Sequence, residues 1–386
     1  MNDPRHDTWS RFLGDVEPKH RISVGNRVTH LRDDDRAVRA IWTTIEEADE
    51  RVWMSMYVLA PDEVGLGTIE RLAAAAQRGC DVCVTYDYLG SIRLRDDHLE
   101  PLKTAGGGYA PFNRFWPPWK HTGSPRIRDH RKVIIVDTRA ALCGGLNLSD
   151  EHVSEFGDEW IFDDTVLMIE GPAVRDLMGI FQSTWQEASG RRVELPPGID
   201  PLDGGKQLQV LETDPRRPET RLRQMLEEAV RRARRRCLIA APYFLPADWL
   251  VEALLEAALR GADVRIITAG RTDLPPVRAA ARHAFGPLLE AGVRIYEMYG
   301  RMLHSKIVTI DGTFGTIGSY NLDRWTAQHA LDISIAIVSE SIACSLEEEC
   351  DTYIEASTEF TLGDFRKRGL PTRALHWIAS RAVDLV

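Results

Sequence analysis

One cassette of residues occurs twice in this 386-residue chain, and no other feature constrains the fold and the chemistry as strongly. The first copy is His130-Arg-Lys132-Val-Ile-Ile-Val-Asp137, followed by Gly144-Gly145-Leu-Asn147; the second is His304-Ser-Lys306-Ile-Val-Thr-Ile-Asp311, followed by Gly318-Ser319-Tyr-Asn321. A single His-x-Lys-x4-Asp pattern arises by chance in about a few per hundred chains of this size. Two copies with the same downstream asparagine therefore indicate an internal repeat.

The repeat extends upstream of both cassettes. In each half a periodic helical segment is followed by an apolar strand, then by a second helix that ends at Gly79 or Gly261, and then by another strand. Glycine directly after a helical segment is typical of a C-cap. Because strands alternate with helices, the sequence predicts an α/β fold. We expect two pseudo-twofold-related α/β sandwich halves with the active site at their interface.

A Pro/Gly-rich stretch at 196–205 is the natural boundary between the two halves. Four parts are expected. They are an N-terminal extension (1–30), a first half with the His130 motif (31–200), a second half with the His304 motif (201–360) and an amphipathic C-terminal tail (361–386).

Composition limits the classes of partner. The net charge is −10, which argues against a nucleic-acid partner. The charged N-terminus has no apolar core typical of a signal peptide, and no apolar run reaches the ~18 residues that a membrane span needs. We therefore expect that any lipid substrate is reached from the membrane surface.

The cassette residues suit phosphate chemistry. The two-residue period of a strand places His130 and Lys132 on one face. Pairing the halves would bring two histidines, two lysines and two asparagines to one point. The lysines and asparagines can donate hydrogen bonds to phosphoryl oxygens, while one histidine attacks phosphorus and the other protonates the leaving oxygen. No metal or other cofactor is expected, because the lysines supply positive charge. An exposed strand pair with a turn asparagine is the alternative, and two matched copies argue against it.

Each histidine needs an acceptor to orient its far ring nitrogen. Asp164 and Asp332 each lead a strand that could lie beside a cassette. We predict that Asp164 orients His130 and that Asp332 orients His304. An ordinary aspartate at a strand start is the alternative for each.

These residues resemble the phospholipase D superfamily, whose signature is the doubled H-x-K-x4-D with G-[GS]-x-N downstream. Within it the chain is similar to bacterial cardiolipin synthases of the short type without N-terminal transmembrane segments. Supporting strings include Pro242-Tyr-Phe-Leu-Pro and Asp273-Leu-Pro-Pro-Val-Arg278. The resemblance implies catalytic roles for His130, Lys132, Asp137, His304, Lys306 and Asp311, and phosphate binding by Gly145, Asn147, Ser319 and Asn321.

The resemblance also implies a ping-pong reaction through a phosphohistidine. His130 is then the nucleophile and His304 the acid/base, although the near-symmetry of the cassettes leaves the reverse open. The expected function is a cardiolipin synthase-like transphosphatidylase that moves a phosphatidyl group from phosphatidylglycerol to the hydroxyl of a second phospholipid. The alternatives are a hydrolase with the same site, either a phospholipase D or a nuclease-like phosphodiesterase, and a non-catalytic lipid-binding member.

Two segments are candidates for membrane contact, and they predict a peripheral protein on the cytoplasmic face of the cell membrane. The segment 112–120 mixes aromatic, proline and basic residues, which suits a loop among lipid headgroups. The tail can form an amphipathic helix on the surface. Packing onto the protein body is the alternative for both, and the oligomeric state stays open. The expected contact residues are Phe112, Phe115, Trp116, Trp119 and Trp377.

Overall fold

A computed structural model describes residues 9, 12–13, 22–115, 126–156, 161–217, 221–272 and 274–383. Trp116, Trp119 and Asp273 lie outside the described residues. Among the described residues, no helix is both long enough and apolar enough to span a bilayer.

Among its described residues, the first half contains nine strands and four helices. The strands are β1 (Ile22–Leu31), β2 (Arg51–Met56), β3 (Asp81–Asp87), β4 (Gly108–Phe112), β5 (Arg128–Asp129), β6 (Val133–Val136), β7 (Ala140–Gly144), β8 (Phe162–Asp163) and β9 (Val166–Glu170). The helices are α1 (Asp34–Glu46), α2 (Glu63–Gln77), α3 (Glu100–Thr104) and α4 (Ala173–Ser189). Asp33 and Asp62 cap α1 and α2 by accepting backbone N–H groups of Arg36 and Gly65.

The second half repeats this order and adds helices at its end. Its strands are β10 (Lys206–Thr213), β11 (Arg236–Ala240), β12 (Asp263–Ala269), β13 (Arg294–Met298), β14 (Met302–Leu303), β15 (Ile307–Ile310), β16 (Phe314–Gly318), β17 (Ala330–Val338) and β18 (Ser357–Phe360). Its helices are α5 (Arg221–Arg232), α6 (Asp248–Leu259), α7 (Pro275–Glu290), α8 (Arg324–His329), α9 (Glu340–Glu355), α10 (Leu362–Lys367) and α11 (Leu370–Val383).

Within the described residues, sixteen strands form one continuous sheet. Its order is β18-β13-β12-β11-β15-β16-β17-β10-β1-β9-β7-β6-β2-β3-β4, with β5 paired to β17. The halves join where β1 and β10 pair antiparallel. On one sheet face, α4 and α9 cover a core that runs on across this junction, and on the other face each half has its own core. The expected α/β fold with two related halves is confirmed.

Two short parallel ladders cross between the halves. β5 of the first half pairs with the start of β17, and β14 of the second half pairs with β8. Each ladder immediately precedes a cassette, so it carries the cassette histidine towards the other half. These ladders position the site described below.

The expected domain limits need one correction. β1 begins at Ile22 and pairs with β9 as well as β10. Residues 22–30 therefore belong to the continuous sheet and not to a separate extension. The tail forms α11, which packs against α7 and buries His376 and Ala379. The face of α11 that carries His376 and Ala379 therefore packs onto the protein body, which was one of the two interpretations of the tail. Four apolar side chains of α11 stay exposed: Leu370, Leu375, Trp377 and Ile378.

Candidate active site

Each cassette histidine is hydrogen-bonded to an aspartate of the other half. Nδ1 of His130 lies 2.8 Å from Oδ1 of Asp332, and Nδ1 of His304 lies 2.5 Å from Oδ2 of Asp164. The pairing predicted from the sequence was wrong, because it joined each histidine to the aspartate of its own half. The ladders explain the exchange: the His130 amide donates to Leu331 O at 2.9 Å, and the His304 amide donates to Asp163 O at 2.8 Å.

The two lysines lie beside the histidines and are almost fully buried. Lys132 donates through Nζ to the carbonyl of His130 at 2.7 Å and lies over the ring of Tyr57, 4.9 Å from its centre. Lys306 donates to the carbonyl of His304, and its Nζ is 3.0 Å from Nδ1 of that ring. Each ammonium is thus held by the backbone carbonyl of the histidine two positions before it.

Burial and mutual repulsion shape the charge of these groups. Burial, and then the charge of Lys306, lowers the pKa of Lys132 to about 7, while burial lowers the pKa of Lys306 to about 8. Burial and the neighbouring lysines also lower the pKa of His130, and they lower the pKa of His304 well below 6.5. These shifts favour the neutral form of both rings at pH 7, and an anion bound between them would favour their protonation.

The two orienting carboxylates have different surroundings. Ser319 donates a hydrogen bond to Oδ1 of Asp332 at 2.6 Å. At the matching position of the first half, a Cβ added to Gly145 would lie 2.2 Å from Oδ1 of Asp164, so this carboxylate needs the glycine. Ser319 and Gly145 thus support the aspartates, and phosphate binding by these two residues stays a prediction.

The two asparagines lie near these pairs. Asn147 accepts the Val58 amide through Oδ1 at 3.3 Å, while Oδ1 of Asn321 is buried without a hydrogen-bond partner among the described residues. Phosphate binding by Asn147 and Asn321 stays a prediction.

Asp137 and Asp311 lie at the far ends of β6 and β15, away from the histidines. Asp137 accepts the amides of residues 49–51, and Asp311 accepts those of residues 234–236, at distances of 2.8–3.3 Å. Both adopt a left-handed backbone, with φ of 54° and 55°. Four strand residues separate each aspartate from its lysine, so the predicted catalytic role is replaced by a structural one: each aspartate fixes the loop that starts the neighbouring strand.

Sequence reasoning missed a third histidine at the site, His152, which is buried. Nδ1 of His152 lies 2.8 Å from Oδ2 of Asp34, its Nε2 accepts the Asn147 amide at 3.4 Å, and its ring centre is 5.9 Å from that of His304. Oδ1 of Asp34 accepts the amide of Asp164. His152 has no counterpart in the repeat, where Thr326 stands at the same offset from the asparagine, and so the doubled pattern gave no signal for it.

Tyr57 was also missed, and here a signal existed. Its ring centre is 4.7 Å from that of His130. Tyr57 follows β2 directly, and Tyr243 lies three positions after the end of β11. A tyrosine shortly after the matching strand of each half was the signal that the sequence offered.

His152, Asp164 and His304 also form a group whose ligand-type atoms lie within 4.8 Å of one another. Carboxylate and imidazole are common ligands of divalent metals. However, Nδ1 of His304 is engaged by Asp164, and the Lys306 ammonium lies beside both groups. This positive charge disfavours a cation there.

The expected membrane contacts divide into three groups. Phe112 is fully buried in β4, which corrects its assignment, because its side chain packs inside the first half. Phe115 lies edge-on to the ring of Tyr88, 5.0 Å between ring centres. Trp377 is 52% exposed on α11.

The sequence of this chain is similar to a protein family and to several relatives. The family described as "Cardiolipin synthase, PLD-like domain" matches residues 41–185 and 226–354. A cardiolipin synthase of Geobacillus kaustophilus is 32% identical over 309 residues, which are 79% of this chain and 61% of that protein. Cardiolipin synthase 2 of Bacillus cereus is 30% identical over 377 residues, covering 97% and 73%. The chain thus spans about three fifths of the length of the Geobacillus relatives.

A solved structure shares the fold. The crystal structure of phosphatidylserine synthase from Haemophilus influenzae superposes with a TM-score of 0.69 at 13% identity, over 99% of both chains. The match therefore includes both halves and the junction between them. From the family match over both cassettes and this common fold, we conclude that the chain belongs to the phospholipase D-like domain family of the cardiolipin synthases.

Proposed function

We propose that this protein is a phosphatidyltransferase that makes cardiolipin, moving a phosphatidyl group from phosphatidylglycerol to the hydroxyl of a second phospholipid. The observation that carries the proposal is the exchanged pair of His–Asp contacts, with a buried lysine bonded to each of the two histidines. Two oriented imidazoles can serve as nucleophile and acid/base on one phosphodiester. The relatives named as cardiolipin synthases support the choice of substrate.

In the proposed reaction, Nε2 of His130 attacks phosphorus and the bond from phosphorus to the glycerol oxygen breaks. Protonated His304 gives its proton to that oxygen, so free glycerol leaves. The hydroxyl of the second phospholipid then loses its proton to His304, and its oxygen bonds phosphorus as the phosphorus–nitrogen bond breaks. Both histidines return to their starting states. Lys132 and Lys306 stabilise the negative charge that builds on the phosphoryl oxygens.

The surroundings of the two aspartates support this division of roles. Burial alone would raise the pKa of Asp332, but His130 and the Ser319 hydroxyl lower it below its usual value. An ionised Asp332 stabilises the positive charge that His130 gains when its ring bonds phosphorus. Burial raises the pKa of Asp164, and Lys306 lies next to the His304 ring. A protonated His304 is therefore a strong acid, as release of an alkoxide requires.

The proposed place of action is the cytoplasmic face of the membrane. Leu370, Leu375, Trp377 and Ile378 on α11 expose apolar surface, and Trp377 suits the headgroup layer. Replacing these four residues with serine should weaken vesicle binding and leave turnover of a soluble phosphodiester unchanged. Equal loss on both would instead mean that they stabilise the fold.

Product analysis tests the reaction. Purified protein is incubated with phosphatidylglycerol vesicles, and lipids and glycerol are measured by mass spectrometry. We expect cardiolipin and free glycerol in equal amounts, with no product from His130→Ala and normal product from Arg366→Gln, a surface change on α10. Phosphatidic acid as the main product would replace the transferase by a phospholipase D, and absence of both products would contradict the proposal.

A further inference from the structure

A basic pocket lies in the second half, apart from the cassette residues. It has a volume of about 340 Å³ and lies between the end of β12, the start of α7, the end of β13 and the buried side of α11. Its polar lining includes Arg271, Thr272, Arg278, Arg282, Tyr299 and His376. We call it the Arg278 pocket.

Two guanidinium groups share one buried carboxylate there. Arg278 and Arg282 both contact Glu297, at 3.3 Å for Arg278, and the Tyr299 hydroxyl donates to the same carboxylate at 2.6 Å. Arg368 lies 3.0 Å from Nδ1 of His376 at the α11 side. Glu297 offsets one of these positive charges, so the cluster of Arg278, Arg282 and Arg368 with this carboxylate keeps an excess of positive charge.

Two observations point to an anion at this place. Nε of Arg278 is buried and has no hydrogen-bond partner among the described residues, so a donor is left available. Burial together with Arg373 and Arg282 lowers the pKa of Arg368, which lies beside the lining residue His376, so like charges crowd this side of the pocket. A phosphate accepts several guanidinium hydrogen bonds and would relieve this repulsion.

The surroundings of the pocket are apolar and exposed. Leu274 precedes the lining residue Pro275 and is 44% exposed, and Trp377 and Ile378 follow His376 and are 52% and 56% exposed. A cavity rich in arginine with apolar side chains beside it suits a ligand that joins a phosphate to acyl chains. A small soluble anion would not need these side chains.

The pocket also faces the same edge of the sheet as the catalytic residues. β15 begins directly after Lys306, its Ile307 pairs with Ala240, and Ala240 pairs with Ile267 of β12. Two strand spacings thus separate β15 from β12, about 10 Å. The repeat does not duplicate the basic lining at the end of β12, because the residues that match Gly270 and Arg271 are Tyr88 and Leu89.

We propose that the Arg278 pocket binds the phosphate of an anionic phospholipid in the membrane surface, as a second lipid site separate from the catalytic histidines. This inference rests on the proposed action at a phospholipid surface, but its test needs no turnover. A lipid held there would keep the cassette edge of the second half against the membrane.

Vesicle binding tests the proposal. All proteins carry His130→Asn so that the lipid stays unchanged, and co-sedimentation is measured with phosphatidylcholine vesicles with and without phosphatidylglycerol. Arg271→Gln/Arg278→Gln should lower affinity for the phosphatidylglycerol vesicles by about thirtyfold, at about 1 kcal/mol for each charge near the surface. The matched control, Arg260→Gln/Arg366→Gln, removes the same charge from exposed sites of the same half and should lower affinity less than about threefold.

Other outcomes would overturn the proposal. Equal losses in both double variants would mean general surface charge, and no loss in the pocket variant would mean no lipid there. If the pocket variant loses only its thermal stabilisation by inorganic phosphate and keeps vesicle binding, the ligand is a soluble phosphate. If the double variant has a lowered melting temperature, Arg278→Lys serves as a second variant, because it keeps the charge beside Glu297 but loses the forked guanidinium donor. Arg278→Lys should bind phosphatidylglycerol vesicles several-fold more weakly than the protein with native Arg278. Unchanged binding would count against the proposal. The vesicle results do not depend on turnover, so a protein that forms no cardiolipin can still confirm or contradict lipid binding in the pocket.

Discussion

His130 and Asp332 are 202 positions apart in the chain, yet Nδ1 of the ring lies 2.8 Å from the carboxylate. Asp164 stands in the same relation to His304. Each half therefore holds the ring of the other half in place, and the two halves cannot act as separate catalysts.

The exchanged pairing predicts different effects for the two aspartates. With a p-nitrophenyl phosphodiester, whose leaving group needs no proton, Asp332→Asn should slow the first step by about 10²–10⁴-fold, because the nucleophile His130 loses its orienter. Asp164→Asn should slow this step much less. With phosphatidylglycerol both should be slow. A burst of nitrophenol measured by stopped flow decides between them, and a larger loss in Asp164→Asn would reverse the roles of the two histidines.

The covalent intermediate should be found on His130. His304→Asn can still pack but cannot donate or remove a proton, so the p-nitrophenyl substrate should phosphorylate the enzyme and then stall. Intact-mass measurement and peptide mapping under alkaline conditions should place the adduct on His130. An adduct on another residue of the wild-type protein, with His130 unmodified, would reject this assignment.

The rate of turnover should be high only over a narrow range of pH. For the p-nitrophenyl substrate, kcat/KM should rise as His130 loses its proton, at a pH below 6.5, because only the neutral ring attacks. It should fall as pH passes about 7, since Lys132 then loses the charge that stabilises the transition state. Phosphatidylglycerol turnover should peak at lower pH, because His304 must also be protonated. A rate that stays level from pH 7 to well above pH 8 would contradict the role of the lysines.

Asp137 should matter for stability and not for chemistry. Asp137→Ala removes the acceptor of three backbone amides and places alanine in a left-handed conformation. We expect a loss of roughly 1–3 kcal/mol in the free energy of unfolding, with kcat of the folded fraction retained. Asp137→Asn, which keeps an acceptor and tolerates this backbone, is the control and should lose less. Thermal melts and active-site titration separate the two effects, and a dead but stable Asp137→Asn would refute the structural role.

Chelation of divalent metal should leave the rate unchanged. Lys132 and Lys306 supply the charge that a metal ion supplies in other phosphoryl transfers. Dialysis against excess EDTA, followed by the vesicle assay, checks this. Loss of activity that one particular metal restores would show that His152, Asp164 and His304 hold a required ion.

The repeat made the fold and most of the site predictable. Matched offsets identified His130, Lys132, His304 and Lys306, and alternating strands and helices indicated the α/β class. Pattern alone could not show which half supplies each carboxylate. That choice depends on the β5–β17 and β14–β8 ladders, which are only two residues long and carry no periodicity.

Charge patterns were similarly ambiguous. The basic run 231–236 looks like an anion site in the sequence, but Glu227, Glu228 and Glu256 pair with Arg231 and Arg232, and Asp351 pairs with Arg236. The Arg278 pocket draws its arginines from separate segments, so no local run marks it. Tertiary contacts decide which cluster keeps its charge.

The continuous sheet also determines how a lipid can enter. Opening the halves like a hinge would break the β1–β10 pairing and both short ladders at once, and it would separate each imidazole from its carboxylate. These pairings therefore keep the two histidines and their aspartates together, with no hinge between the two halves at which the site could open. Under the proposed function, a lipid headgroup has to reach this fixed centre without separation of the two halves.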